Sequence, residues 1–285
     1  MRKVVGEGSD GPRGLGVTAE GFGLRGPRGR AFQGVSLDAE PGSLIAIEGP
    51  SGAGRTCLLL SLTGRMKPTE GHAAVGPLRL PKQMAAVRRI SALAHVPGIT
   101  DLDPALTVGE HLRERALLQR RFGGSVRGLL RPRSEHAAEA RLRIDAALNA
   151  AGLDREALPK GSRTAVRDLE RVEALRLSVA LALIGRPRLL GVDDTDLKLS
   201  EPERTEVWAL LRALTEAGTT VLAVCREAPE DAVTVSTGSA DEPTPEETDE
   251  PAHAERDEPS DADGEQDRQD RDEEAADALA EAGRA

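Results

Sequence analysis

The sequence predicts an α/β fold: a parallel sheet covered by helices, preceded by antiparallel strands, carrying a helical subdomain and ending in an acidic tail. Three observations predict it. Short apolar runs alternate with helix-period stretches from Leu44 to Cys225, the pattern of strands laid parallel by helical crossovers. A glycine-rich loop, residues 49–56, separates one of those runs from a helix. Charge divides the chain, because residues 241–285 hold 19 acidic and 4 basic side chains, whereas residues 1–240 hold 34 basic and 29 acidic. The overall charge of −10 therefore describes neither part.

Residues 1–14, rich in Gly, Pro and Arg, are expected to be a flexible N-terminus. Leu15–Ala19 and Gly21–Leu24 suit short strands, and the alternation in Ala31–Leu37 suits a half-buried one. After a turn, Leu44–Glu48 reads as a buried strand, and Cys57–Arg65 as the helix behind the glycine loop. Residues 65–105 are mixed, with a strand at Ile90–Ala94. Val108–Arg121 and Glu135–Ala151 carry apolar residues at helical spacing, on either side of a basic connection. Thr164–Ile184 reads as one long helix stopped by Gly185 and Pro187. The strand Leu189–Val192, the helix Glu201–Ala217 and the strand Val221–Cys225 complete the alternation. The domain is thus expected to span 15–237, with residues 106–175 as its helical subdomain.

Residues 238–285 are too charged and too poor in large apolar side chains to offset their chain entropy, so disorder is expected there. Asp272–Ala282, rich in Ala and Glu, could form a short helix. The arginines at positions 120, 121, 127, 131 and 133 read as a solvated face and as one candidate target for this acidic arm.

Composition excludes several function classes. The chain has no tyrosine, one tryptophan and three phenylalanines, so its core must be aliphatic. It lacks the aromatic side chains interleaved with basic ones that nucleic-acid binding favours, and its acidic total argues the same way. The longest apolar stretch, Leu177–Ile184, is far short of the roughly 20 residues of a membrane span. The start, MRKVVGEGSD, lacks the apolar segment of a secretion signal. Cys57 and Cys225 make no metal or disulfide framework and read as reduced thiols. A soluble cytoplasmic protein is expected.

The glycine loop, Gly49-Pro50-Ser51-Gly52-Ala53-Gly54-Arg55-Thr56, fits G-x-x-x-x-G-x-T. Glycines let successive N–H groups turn inward around phosphate oxygens, and the following helix points its positive end at the same anion. Gly49, Ser51, Gly52, Ala53, Gly54, Arg55, Thr56 and Cys57 are the candidate phosphate contacts. Arg55 stands where the motif has lysine. It keeps the charge, but its planar fork donates along fixed directions, which weakens close bridging of the terminal phosphates. Further on, Leu189–Val192 ends in Asp193-Asp194. A carboxylate at a strand tip paired with such a loop suits a magnesium ion shared by Thr56 and Asp193.

With both anchors in place, residues 15–236 resemble an ATP-binding cassette (ABC) ATPase, the ATP-binding subunit of ABC transporters. GVSLDAEPGSLIAIEGPSGAGRT resembles the family's first strands and phosphate loop, LTVGEHL the start of its helical subdomain, VALALIGRPRLLGVDD the segment before its catalytic site, and TVLAVCRE its switch strand. The resemblance implies a P-loop NTPase fold, ATP and Mg2+ as ligands, a homodimer or a heterodimer with another ABC subunit, and docking on a membrane permease. It implies a cytoplasmic protein, peripheral at the inner face of the cell membrane.

The same resemblance exposes departures. The family's catalytic glutamate corresponds to Asp194, which is one methylene shorter; displacement of such a group by about 1 Å costs roughly a hundredfold in rate. Arg226 replaces the switch histidine, Ser200 the aspartate of the next loop, and Gly98 corresponds to the glutamine beside magnesium. The LSGGQ signature corresponds to Leu169-Glu170-Arg171-Val172-Glu173, with a carboxylate where phosphate should lie. No aromatic side chain lies beside Gly26 to stack on adenine, Phe22 being the nearest. These changes imply weak or absent hydrolysis by an ATP-binding subunit. The alternative they leave open is a pseudo-ATPase that regulates or scaffolds a membrane complex and binds nucleotide poorly or not at all.

Overall fold

The computed structural model describes residues 14–27, 29–123, 133–196 and 198–237. The disorder and short helix expected in the tail, and most of the basic connection, lie outside the described residues.

The N-terminal strands are longer than their apolar alternation suggests. β1 (Val17–Gly26) is one strand, with Gly21 (φ 53°) at the irregularity that made it read as two. It pairs antiparallel with β2 (Gly29–Ala39). Next come β3 (Leu44–Glu48) and α1 (Arg55–Leu62), then β4 (Glu70–Val75), β5 (Leu78–Leu80) and α2 (Met84–Ile90), none of which the mixed composition of 65–105 revealed. β6 (Ser91–Ala94), α3 (Val108–Gly123) and α4 (Arg133–Ala150) follow.

The expected long helix Thr164–Ile184 begins late, as α5 (Arg171–Leu183). Its first third is diverted to tie down the start of α3. Val108 N–H donates to Thr164 O (3.0 Å), and Val166 N–H donates to Leu106 O (2.9 Å). Extended backbone in that bridge cannot also be helical. β7 (Leu189–Val192), α6 (Glu201–Glu216), β8 (Thr220–Val224) and β9 (Val233–Ser236) complete the chain, β9 being unexpected.

Two sheets result. The antiparallel sheet runs β2-β1-β4-β5, and the parallel sheet runs β6-β7-β8-β3-β9. Each buried parallel strand splits its residues by parity. Leu44 and Ala46 join a core with α5 and α6, whereas Ile45 and Ile47 join a second core with α1 and the antiparallel sheet. Ala92, Leu190, Val192, Val221 and Ala223 follow the first face; Leu93, Leu189, Leu222 and Val224 follow the second. Phe22 and Phe32 stack at 5.8 Å between ring centroids in that second core. Both are at most 1% exposed, so Phe22 cannot offer its ring to a base. This layering brings the C-terminal ends of β3, β6, β7 and β8 to one edge, where α/β sheets place their ligand sites.

Candidate functional site

The loop from Gly49 to Gly54 leaves β3 at that edge and delivers the chain to the first turn of α1. Glycine is required at its last position. Gly54 has φ 78°, and a Cβ there would lie 1.9 Å from the carbonyl oxygen of Ala31 in β2. Gly54→Ala is accordingly expected to cost about 1–2 kcal/mol for the left-handed backbone alone, with the overlap adding to it. A thermal melt should show a clear loss of stability; an unchanged melting temperature would mean the loop is built differently.

Thr56, in the first turn of α1, and Asp193, just past β7, meet as expected. The Thr56 hydroxyl donates to Asp193 Oδ2 at 2.7 Å. The other oxygen, Oδ1, accepts the Asp194 N–H at 2.9 Å. Asp193 is only 2% exposed, and burial pushes its carboxyl above the ordinary aspartate range, against the pull of those two hydrogen bonds. A hydroxyl and a buried carboxylate facing each other at a phosphate loop form the all-oxygen donor set that Mg2+ takes. These residues fit the ion that the family implies.

Arg55 goes elsewhere. Its Nη1 donates to the carbonyl oxygen of Cys225, at the end of β8, at 2.5 Å. The guanidinium thus ties α1 to the switch segment. Cys57, in the same turn, is half-buried; its thiol is raised by burial and by Asp193 and behaves as a neutral group. Gly49, Ser51, Gly52 and Ala53 line the loop itself, with Ser51 and Gly52 exposed and Ala53 buried.

Asp194 is partly exposed and holds a left-handed backbone (φ 48°), which aspartate tolerates better than most side chains. Beyond it, Asp196 Oδ2 accepts the Arg226 N–H at 2.6 Å, fixing the switch segment while the Arg226 side chain is exposed. Ser200 starts α6: its N–H and hydroxyl both donate to Glu203, at 2.7 and 2.6 Å.

The Leu169–Glu173 segment starts α5. Glu170 sits at the N-cap, and its N–H donates to the Glu173 carboxylate at 2.9 Å. Two carboxylates therefore occupy the positive end of a helix where an incoming phosphate would otherwise be stabilised. The Arg171 guanidinium donates to the carbonyl of Lys198. Val172 is 8% exposed.

β6 and β7 run in parallel register up to Ala94 opposite Val192. His95 follows β6, partly buried and with a left-handed backbone (φ 50°). Gly98 lies three residues further on, exposed, its N–H donating to Asp101 Oδ2 at 2.9 Å.

The ABC transporter family profile matches residues 32–196, more than half of the chain. Nod factor export ATP-binding protein I of Cupriavidus metallidurans is 31% identical over 66% of this chain and 55% of its own length. The Fe(3+) ions import ATP-binding protein FbpC of Streptomyces avermitilis is 32% identical over 70% of this chain and 52% of its own length. The chain thus spans about half the length of the curated relatives it matches. MJ0796, a bacterial ABC transporter cassette solved as a dimer, shares the fold with a TM-score of 0.58 at 21% identity, over 78% of this chain and 95% of that one. The matched stretch contains the phosphate loop, α5 and the Asp193 strand tip, and on that ground the chain belongs to the ABC transporter family.

Proposed function

We propose that this chain is an ABC-type ATP-binding subunit that binds Mg-ATP, associates with a membrane permease, and hydrolyses ATP weakly or not at all. The observation that carries this reading is the 2.7 Å contact between Thr56 and Asp193 beside a glycine loop whose backbone is intact. The loop N–H groups would hold phosphate, and Thr56 and Asp193 would hold magnesium, which neutralises phosphate charge when bound. Asp194 is the candidate to orient water, and its short side chain together with Glu170 and Arg226 slows the chemical step. The nucleotide-binding domain is residues 15–237, with residues 106–175 as the helical subdomain and residues 238–285 as an acidic appendage. Exposed Leu117, Leu118 and Leu142 on α3 and α4 suit apolar contact with a permease, which would place the protein at the inner face of the membrane. Among the described residues no helix is long and apolar enough to cross a membrane. A dimer, with itself or with a second ABC subunit, completes the reading.

The 2.5 Å bond from Arg55 to the Cys225 carbonyl favours the alternative, a pseudo-ATPase regulatory or scaffold module, because it holds the loop's one cation away from phosphate. A thermal-shift titration separates the two. Millimolar Mg-ATP is expected to raise the melting temperature of the full chain, since a ligand stabilises the state it binds. No shift would favour the pseudo-ATPase.

A further inference from the structure

We propose that Arg55 is the positioning residue of the switch segment, residues 225–228, and that bound nucleotide phosphate draws it off that segment. The inference rests on the reading that nucleotide phosphates sit in the glycine loop.

Three hydrogen bonds hold the segment where it leaves β8, each from a different element around the site. Arg55 Nη1 donates to the Cys225 carbonyl at 2.5 Å, and the Arg226 N–H donates to Asp196 Oδ2 at 2.6 Å. The third, from the Ala228 N–H to Glu48 Oε2, is long at 3.4 Å and correspondingly weak. Cys225 is fully buried, and among the described residues no other donor reaches its carbonyl oxygen. Arg55 also offsets charge there. Burial first, then Asp196, Glu48 and Glu227, push the Cys225 thiol up to about 12, and Arg55 alone pulls against them. Withdrawing the guanidinium therefore leaves a buried carbonyl unpaired and three carboxylates without that cation.

Phosphate is the competitor able to withdraw it. Arg55 directly follows Gly54 and opens α1, so its backbone is already part of the loop. A phosphate oxygen carries the charge opposite to the guanidinium, whereas a carbonyl carries none, so Coulomb attraction adds to the hydrogen bond. The planar fork can engage two phosphate oxygens at once, whereas the Cys225 carbonyl receives Nη1 only. With Arg55 turned to phosphate, residues 225–228 keep the Asp196 and Glu48 bonds alone and open more often. Arginine at this position thus makes the order of the switch segment depend on whether the loop is filled. It also lowers apparent nucleotide affinity, because binding must first break a bond.

The test is amide hydrogen exchange on the full chain, with and without saturating Mg-ATP, for wild type, Arg55→Gln and Arg55→Met. Bound nucleotide is measured in the same samples. In wild type, Mg-ATP is expected to speed exchange at the Arg226 and Ala228 amides about tenfold, the effect of losing one hydrogen bond to a charged group. Both variants lack the charge, so they should exchange at the faster rate without nucleotide and change no further with it. Slow exchange throughout β8 shows that a variant is folded and that the opening is confined to the segment. Wild-type exchange that is unchanged or slowed while Mg-ATP is bound would overturn the proposal and leave nucleotide binding standing. Folded variants as protected at Arg226 as nucleotide-free wild type would do the same. A wild type that takes up no Mg-ATP would overturn the proposal and the reading beneath it together.

Discussion

Asp193→Asn is expected to raise the melting temperature of the nucleotide-free protein at neutral pH while removing its magnesium-dependent affinity for ATP. Both effects come from one carboxylate. Asp193 is 2% exposed, and burial raises its pKa above the ordinary 3.8, with Asp194 adding repulsion and Thr56, the Asp194 N–H and Arg55 partly compensating. The folded chain thus binds that proton more tightly than the unfolded chain. Stability falls as pH rises from the ordinary aspartate value to the raised one, and above it the loss is complete. Asparagine never ionises, so its advantage should be present at pH 7 and fade at acid pH, as a pH series of melts would show. Losing a partner outside the metal's own shell costs 10–100-fold in metal affinity, so losing the carboxylate itself should cost at least about a hundredfold. A variant that melts lower than wild type at pH 7, or still binds ATP more tightly with Mg2+ than without, contradicts this.

The second large effect is a gain. A chain carrying Asp194→Glu, Glu170→Ser, Arg171→Gly and Arg226→His is expected to hydrolyse ATP roughly 10⁴-fold faster than wild type, in phosphate-release assays with any required partner subunit present. Each restored transition-state contact contributes about 3 kcal/mol, and two suffice for that factor. Val172 is left in place because it is a buried residue of α5, and its removal would open a cavity. Asp194→Glu alone should recover little, for two reasons. The α5 N-terminus would still carry Glu170 and Glu173, and the φ of 48° at position 194 is costlier for glutamate than for aspartate. Full recovery by that single change would mean that the carboxylates at α5 do not limit the reaction.

The parts of the site legible in sequence were those whose chemistry is local. Strand, glycine loop and helix from Leu44 to Leu62 are contiguous, and an apolar run ending in Asp193 is visible without any partner. The parity of Leu44–Ile47 could not be seen, because a strand buried on both faces shows a continuous apolar run. β4, β5 and β9 were missed for a related reason: Glu70–Val75 and Val233–Ser236 are short and mixed in polarity, and they are strands because β1 and β3 pair with them. The helix expected from Thr164 failed where a tertiary hydrogen bond to the start of α3 outweighed local propensity.

That this ABC family member holds Mg-ATP and barely turns it over is tested most directly by incubating the full chain with Mg-ATP, separating protein from free nucleotide, and measuring what remains bound. Stoichiometric nucleotide, recovered almost entirely as ATP, is expected. An empty protein would contradict this, and so would bound ADP accompanied by a turnover of about one per second that Asp194→Ala abolishes.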